Sequence, residues 1–577
     1  MKKIFYTTLF LLSASSLFGQ CPNTTAQLDL DINNVRARIL NGGDLWWDPV
    51  GQTPYYEVPI GSGKNSIYAG AIWIGGVDNL GQIKTAAQTY RQAGANDFWA
   101  GPISRDTVGP SYGQVSTTTC TSYDRFFTVT KAEVQTFIQG GIASQNIIDW
   151  PGNGDVANGE LQYLAPFFDA NNDGIYDHTQ GDYPYFNFSG NYAINPVTGQ
   201  PDCDNYLFGD KSIWWVFNDV GNVKTETMSP PIGLEIRAQA FAFSSPDVDI
   251  NNSTFYQYQV INRSSDSLLD AFIGFWCDAD LGNPVDDYVG CDVGLNMGYV
   301  YNGDTIDAGA SGYGAFPPAL GIDFLRGPEA DPNDGIDNDG NGITDEPGEQ
   351  CLMTRFMYYS NVNNQPNGNP GVNNDYYNYL QAHWLDNQPI TFGEDGRNFS
   401  NPVTHYMFSN GTDPAFPGQV WTMGSAGILP GDMRWIQSAG PFTMAPGEVN
   451  YLKTAVVWAQ STTPGPMASL TALLAANQSV QALFNNCFTV SLSENEQSIS
   501  VQVSPNPFTS ECTLIADEIK GRKVTVKVFD ISGKLMSTYS TDHFSGSYKM
   551  GSELIAGTYL VKIESADKSF TGKVIKL

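Results

Sequence analysis

Short aromatic and β-branched segments that end at turn residues are the feature that most constrains the fold of this chain. Four of them lie at residues 66–76, 234–244, 254–264 and 451–460. They are rich in Tyr, Phe, Trp, Ile and Val, and each ends near Gly, Asn or Ser, which is typical of β-strands. We therefore expect a mainly β fold with a large body rich in β-sandwich structure, a few helices and acidic loops.

Two helices are predicted within this pattern. Thr130 and Glu133 have the spacing of a capping box, in which each side chain bonds the backbone of the other residue. After Pro466, apolar residues recur at helical spacing, so we expect a helix that packs on a sheet. Its apolar stripe comprises Met467, Leu470, Leu473, Leu474, Val480, Leu483 and Phe484.

The charge of the chain is acidic and unevenly distributed. The formal net charge of −31 over 577 residues argues against nucleic acid or an anionic membrane surface as a partner, because both require a basic footprint. From Ile499 onward the sequence has 10 Lys/Arg and 8 Asp/Glu, whereas the body alone carries about −35. The change predicts a body over residues 20–490, a linker over 491–500 and a C-terminal domain over 501–577.

The N-terminus has the pattern of a secretory signal peptide. Lys2 and Lys3 precede an apolar run over residues 4–12, and small residues follow up to Gly19. We expect residues 1–19 to be removed. No other run approaches 18 apolar residues, so no transmembrane span is expected.

Eight cysteines in an exported chain predict disulfide bonds. Seven of them lie in the body, and Cys512 lies in the C-terminal domain. We favour a bond between Cys277 and Cys291, because these residues bracket one short acidic loop. The complete pairing stays open.

Two acidic segments share a nine-residue frame. Residues 169–177 read DANNDGIYD and residues 337–345 read DNDGNGITD. Oxygen-bearing side chains at alternate positions, followed by a Gly and a backbone carbonyl, form the first part of an EF-hand-type calcium loop. The predicted ligands of a structural calcium ion are Asp169, Asn171, Asp173, Ile175, Asp177 and Asp182 in the first loop, and Asp337, Asp339, Asn341, Ile343, Asp345 and Glu346 in the second.

Neither segment is a complete EF-hand. Gln180 and Gly348 stand where a bidentate Glu is expected, although Glu349 offers another closing carboxylate. Pro184 and Pro347 disfavour an exit helix. The loops are more similar to the calcium loops of thrombospondin-type or dockerin-like repeats, and a metal-free Asx-turn loop is the alternative.

A third acidic cluster lacks this frame and leaves three interpretations open: a solvated loop, a calcium site, or a carboxylate pair for glycoside hydrolysis. No H-E-x-x-H or G-x-S-x-G motif occurs in the sequence. No catalytic residue and no organic-cofactor site are assigned. The cluster comprises Asp278, Asp280, Asp286, Asp287 and Asp292.

Four motifs carry a resemblance in the C-terminal domain: PNPF at 505–508, VFDISGK at 528–534, AGTYLVKI at 556–563, and the closing residues 573–577. They resemble the type A C-terminal sorting domain of the Bacteroidetes type IX secretion system. Alternating strands in this region also predict a small Ig-like β-sandwich. The resemblance implies engagement of the type IX machinery, removal of the domain, and a location in the medium or on the outer cell surface.

Segments 33–48, 209–219, 278–292 and 439–448 of the body resemble a family of large, uncharacterised secreted Bacteroidetes proteins with the same sorting domain. The resemblance implies one integrated body without an assigned activity. Two subdomains that meet near residue 230 are the alternative organisation.

These observations favour a secreted or cell-surface, calcium-stabilised protein with a structural, adhesive or ligand-binding role, rather than an enzyme. The pairs Trp46–Trp47 and Trp214–Trp215 offer rings for a glycan or another cell-surface ligand, although strand alternation directs one ring of each pair to the core. The alternative is an extracellular, carboxylate-dependent hydrolase that acts on polysaccharide.

Overall fold

The computed structural model describes residues 20–105, 109–489, 497–498, 501–530, 535–565 and 568–577. The chain divides into two compact units between Phe488 and Thr489. The predicted signal peptide and most of the predicted linker lie outside the described residues. Within the described part of the chain, no helix is long and apolar enough to cross a membrane.

The body consists mainly of strands, as the sequence predicts. Its strands are β1 (Gln27–Leu30), β2 (Arg36–Leu40), β3 (Asp44–Leu45), β4 (Trp47–Asp48), β5 (Thr53–Pro54), β6 (Tyr56–Glu57), β7 (Ala69–Asp78), β8 (Ile83–Ala86), β9 (Trp99–Ala100), β10 (Phe127–Thr130), β11 (Phe167–Phe168), β12 (Tyr183–Pro184), β13 (Lys211–Asn218), β14 (Leu234–Ala242), β15 (Ser253–Asn262), β16 (Leu268–Asp278), β17 (Asp287–Asp292), β18 (Met297–Asn302), β19 (Ala319–Arg326), β20 (Arg355–Ser360), β21 (Met433–Met444) and β22 (Val449–Ala459). Its helices are α1 (Thr117–Tyr123), α2 (Lys131–Ile138), α3 (Gln145–Ile148), α4 (Val248–Asn251), α5 (Asn373–Leu380) and α6 (Pro466–Asn485).

Two large antiparallel sheets form the body. The first sheet has the order β1–β2–β3–β7–β16–β21–β20, with β6 beside β2 and β8 beside β7. The second sheet has the order β10–β13–β14–β15–β22–β19–β18–β17, with β9 beside β13. The strands on either side of residue 230, β13 and β14, are paired along eight residues of this second sheet. The sheet therefore does not divide near residue 230.

The inner faces of the two sheets share one aromatic core. Trp46, beside β3, donates its indole N–H to the hydroxyl of Tyr256 on β15 over 2.8 Å. Phe275 on β16 packs against Tyr258 on β15, with ring centroids 6.2 Å apart. The body is thus a sandwich whose two layers are joined by large side chains.

The tryptophan pairs do not offer exposed rings. Trp46, Trp47, Trp214 and Trp215 are all buried. The expectation that one ring of each pair faces a ligand in solvent is wrong, because further elements cover the outer faces of the sheets as well.

Two segments of the chain cover the outer face of the second sheet. Helix α6 starts with Pro466 in its first turn and buries Leu470, Leu473 and Val480 against one part of the sheet, as the apolar periodicity predicts. Residues between 123 and 207 cover another part, around Trp214 and Val216. Within this segment, helix α2 begins at the predicted capping box of Thr130 and Glu133.

The C-terminal unit is a small two-sheet structure, as the alternating pattern predicts. Its first sheet has the order β23–β30–β29–β26–β27, and its second sheet has the order β24–β25–β28. Its own core includes Phe508, Val526 and Val561. The strands are β23 (Gln497–Ser498), β24 (Gln502–Ser504), β25 (Cys512–Ile515), β26 (Val524–Asp530), β27 (Leu535–Thr541), β28 (Ser547–Met550), β29 (Gly557–Ser565) and β30 (Lys568–Lys576).

Two disulfide bonds staple the body: Cys21–Cys120 and Cys203–Cys487. The predicted bond between Cys277 and Cys291 is wrong, since both are buried free thiols. Cys277 lies on β16 of the first sheet and Cys291 on β17 of the second, so the acidic loop between them crosses from one layer to the other. Proximity in sequence is therefore a poor guide to pairing here.

We expect Cys203→Ser to lower the free energy of unfolding by about 2–5 kcal/mol, because Cys203–Cys487 closes a long loop in the unfolded chain. Denaturant unfolding with and without reductant measures the loss. Cys203→Ser should also remove the part of the reductant effect that belongs to this bond, whereas Cys277→Ala should leave the reductant effect unchanged. Peptide mapping that finds Cys277 linked to Cys291 would contradict this assignment.

Candidate functional site

A cleft with a volume of about 520 Å³ opens on the outer face of the first sheet. Two fully buried tryptophans, Trp73 and Trp276, stack with ring centroids 5.9 Å apart and contact two of the tyrosines that line the cleft. Tyr90 packs edge-on against Trp276, and Tyr376 of α5 packs edge-on against Trp73. We call it the tyrosine–carboxylate cleft after its principal lining residues, which are Tyr68, Tyr90, Tyr359, Tyr376, Glu226, Asp278, Asp280 and Asp432, with Arg434.

Asp278 ends strand β16 and is held by a charged network. One of its carboxylate oxygens, Oδ2, accepts hydrogen bonds from the hydroxyl of Tyr90 at 2.5 Å and from Nη2 of Arg434 at 3.1 Å. Arg434 also donates through Nη1 to Asp432 at 2.5 Å. The other oxygen of Asp278, Oδ1, is buried and has no hydrogen-bond partner among the described residues. The cleft therefore contains an acceptor that a ligand hydroxyl could satisfy.

Three carboxylates converge beside this network. Oxygen atoms of Asp278, Asp280 and Asp432 lie within 4.8 Å of one another. Such spacing also suits a cation, but Arg434 already forms ion pairs with two of the three groups. Burial, together with the charges of Asp278 and Asp432, raises the pKa of Asp280 to about 8. At neutral pH, Asp280 thus retains its proton, whereas Asp278 forms an ion pair with Arg434.

Glu226 enters the cleft from the loop between β13 and β14. Its Oε1 accepts hydrogen bonds from the hydroxyls of Thr89 and of Tyr376, the latter at 2.9 Å. Burial raises the pKa of Glu226 to about 7, although both hydrogen bonds oppose the shift. The cleft therefore has a second carboxyl group that titrates near neutrality.

The third acidic cluster of the sequence is divided by the fold. Asp278 and Asp280 line the cleft, whereas Asp286, Asp287 and Asp292 are not among its lining residues. Asp287 is fully buried and accepts the backbone N–H of Leu281. The hydrolase hypothesis, which drew on the whole cluster, is thereby narrowed to Asp278 and Asp280.

Sequence reasoning missed two cleft carboxylates, Glu226 and Asp432. Asp432 immediately precedes β21, which pairs with β16 so that Arg434 lies opposite Asp278. One sequence feature could have pointed to Asp432: it stands two residues before Arg434, at the start of a strongly apolar strand. Such a pair must either face solvent or find partners on the neighbouring strand.

The second predicted calcium loop brings some of its predicted residues together. Oxygen atoms of Asp337, Asp339 and Glu349 lie within 4.8 Å of one another. Asn341 donates to both Asp339 and Glu346, whereas Asp345 accepts the backbone N–H of Gly335 instead. Burial, with the charges of Glu346 and Asp337, raises the pKa of Asp339. The side chain of Ile343 is exposed.

The first predicted calcium loop is organised by backbone hydrogen bonds. Asp169 accepts the N–H groups of Asp173 and Gly174 at 3.2 and 2.7 Å. Asp182 is buried and accepts those of Ala170 and Asp177, both at 2.8 Å. The carboxylates among the described residues here do not meet the 4.8 Å spacing of the second loop. Asn171 donates to Asp173, and Ile175 donates its N–H to the same side chain.

We expect Glu226→Gln to raise the free energy of unfolding at pH 8 by about 3 kcal/mol and to have little effect at pH 4. The folded state holds a proton on Glu226 up to about pH 7, whereas the unfolded state releases it near the ordinary value of 4.5. Stability is therefore lost as pH rises between these values, and Gln keeps the acceptor oxygen without the charge. Denaturant titrations across this pH range measure the difference. A difference that is equal at pH 4 and pH 8 would contradict the prediction.

Comparison with known proteins identifies the C-terminal unit. The family model described as the secretion system C-terminal sorting domain matches residues 502–577. No curated protein matches the chain. A solved polysaccharide lyase shares 11% identity over 59% of this chain and 34% of its own length, with a TM-score of 0.19, which is too low to establish a common fold. The chain therefore ends in a type IX sorting domain, and the protein is a type IX secretion substrate that is exported to the medium or the outer cell surface.

Proposed function

We propose that the body is a glycan-binding protein of the cell exterior and that the tyrosine–carboxylate cleft is its binding site. The observation that carries this proposal is the combination of four tyrosines with several carboxyl groups in one open cleft. Tyrosine presents an apolar ring and a polar hydroxyl, which suits a ligand with both apolar faces and hydroxyl groups. Aromatic side chains beside convergent polar groups are found in many small-molecule sites.

The charges of the cleft favour a neutral ligand. Among the described lining residues Arg434 is the sole cation, and its guanidinium is already engaged by Asp278 and Asp432. An acidic glycan would place a further negative charge beside these carboxylates, which is unfavourable at short range. A neutral sugar can instead donate a hydroxyl hydrogen bond to Asp278 Oδ1 and accept a hydrogen bond from the carboxyl group of Asp280.

We expect the body to bind neutral glycans on an array of neutral and acidic glycans. Tyr68→Ala and Asp280→Ala should weaken that binding at least about tenfold, which corresponds to about 1.4 kcal/mol. Asp286→Asn, a change in the same acidic loop but outside the cleft, is the matched control and should bind like the wild type. Preference for acidic glycans, or unchanged binding by both cleft variants, would refute the proposal.

A second candidate function is hydrolysis of the bound glycan. The specific observation that favours it is the presence in one cleft of two carboxyl groups whose pKa values are raised by burial, Asp280 and Glu226, beside the arginine-paired carboxylate of Asp278. Glycosidases require such an acid beside a second carboxylate. Release of reducing ends that stops in Asp280→Asn while binding persists would make the protein an enzyme. Binding without product release leaves it a binding protein.

We propose further that structural calcium stabilises the body through its acidic loops. In the second loop, the close carboxylates of Asp337, Asp339 and Glu349 repel one another, and a buried oxygen of Glu346, Oε2, has no hydrogen-bond partner among the described residues. Ca²⁺ takes six to eight oxygen ligands, and the predicted residues of this loop supply carboxylate, amide and carbonyl oxygens. The first loop is proposed with the ligands predicted from its sequence.

We expect chelation to lower the melting temperature and to make residues 331–349 sensitive to protease. Calcium at a hundredfold excess over its dissociation constant adds about 2.7 kcal/mol to the folded state. Asp339→Ala should remove most of this response, whereas Asp173→Ala reports separately on the first loop. Identical melting curves in calcium and in chelator, together with no metal by elemental analysis, would show that both loops are metal-free turns.

A further inference from the structure

A second groove lies on the outer face of the second sheet, with a volume of about 430 Å³. Side chains at paired positions on three neighbouring strands form its floor. Trp214 on β13 lies opposite Gln239 on β14, and Gln239 lies opposite Gln257 on β15. In the next row, Arg237 on β14 lies opposite Gln259 on β15. We call this the amide groove.

The amide groove adjoins an apolar part of the same face. Farther along the same strands, Phe241 and Phe255 point to the same side of the sheet and pack in the cluster beneath α6. Gln239 and Gln257 are nevertheless buried, with 2% and 7% of their surface exposed. Burial of polar side chains costs free energy unless their hydrogen bonds are replaced. Apolar residues at these positions would extend the cluster and avoid this cost. Stability alone therefore does not explain why glutamines occupy these positions.

The hydrogen bonds orient the three glutamines. The side-chain N–H groups are held by the protein: Gln239 donates to Ser212 at 2.8 Å, Gln259 to Tyr451 at 2.8 Å, and Gln257 to the carbonyl of Asp204 at 3.3 Å. The carbonyl oxygen of Gln257, Oε1, is buried and has no partner among the described residues. A ligand that donates a hydrogen bond would satisfy it.

Two of the three charged residues that line the amide groove form ion pairs with other protein residues. Arg237 pairs with Glu235 at 2.7 Å. Asp204 pairs with Lys453 at 3.1 Å and with Arg326. The third, Asp169, accepts backbone N–H groups of its own loop and has no ion pair among the described residues, so the groove offers little attraction to an anion.

Aromatic rings form the walls of the amide groove. Tyr163 is 55% exposed, and its ring lies 6.0 Å from that of Phe167. Tyr185 and Trp214 complete the aromatic lining. Rings beside an oriented amide oxygen match the apolar faces and hydroxyl groups of a neutral sugar.

We infer that the amide groove is a second binding site for neutral glycan, separate from the tyrosine–carboxylate cleft. The two sites lie on the outer faces of different sheets, so one body can hold two glycan chains at once. The inference goes beyond the proposed function and stands if that function fails, because no residue lines both sites.

Calorimetric titration with a panel of neutral gluco-, xylo- and manno-oligosaccharides tests the inference on the mature protein. Tyr163→Ala removes an exposed ring and should weaken binding at the amide groove at least about tenfold. Gln257→Leu removes the buried acceptor and should do the same, with a melting temperature no lower than that of the wild type. Phe316→Ala, an exposed aromatic outside both sites, is the control and should have no effect.

Binding that Tyr163→Ala abolishes and Asp280→Ala leaves intact supports the amide groove even when the cleft binds nothing. Binding lost only in Asp280→Ala, or no binding of any sugar in the panel, overturns the inference. Should Gln257→Leu fail to fold, Tyr163→Ala decides alone, because its exposed side chain contributes little to the core.

Discussion

The contact between the inner faces of the two sheets is the constraint on which the rest of the body depends. Alternate residues of each strand point into this contact. The large rings of Trp46, Phe275, Tyr256 and Tyr258 pack there and set the position of one sheet against the other. The remaining residues must point outward. Because many of those are also apolar, helices and long loops have to cover the outer faces. The tyrosine–carboxylate cleft and the amide groove lie where the outward-pointing residues are polar.

The body is strongly acidic, yet the carboxylates at the tyrosine–carboxylate cleft are balanced by one arginine and by retained protons. In the amide groove, Arg237 pairs with Glu235 on the same strand, and Asp204 pairs with Lys453 on β22. The same physical requirement, that a buried charge needs a partner, has produced two sites that differ in chemistry.

Local features of the fold could be predicted from the sequence, whereas the convergence of distant residues could not. Strand alternation, the capping box at Thr130 and the helix after Pro466 depend on neighbouring residues only, and the structure confirms them. Asp278 and Asp432 meet because β16 pairs with β21, a register that no local pattern encodes. The same holds for Cys203 and Cys487. The tryptophan pairs were misjudged because alternation gives the direction of a side chain and not what covers it.

The bond between Cys203 and Cys487 has a consequence for the survival of this protein outside the cell. The exposed acidic segment at residues 331–349 lies between the two cysteines, and such loops are preferred sites of proteolytic nicking. After a cut there, the two fragments would still be covalently joined, with β19 and β22 paired across the break. A nicked molecule would thus persist as a two-chain protein with both outer faces intact, and separation of its halves would require unfolding together with reduction.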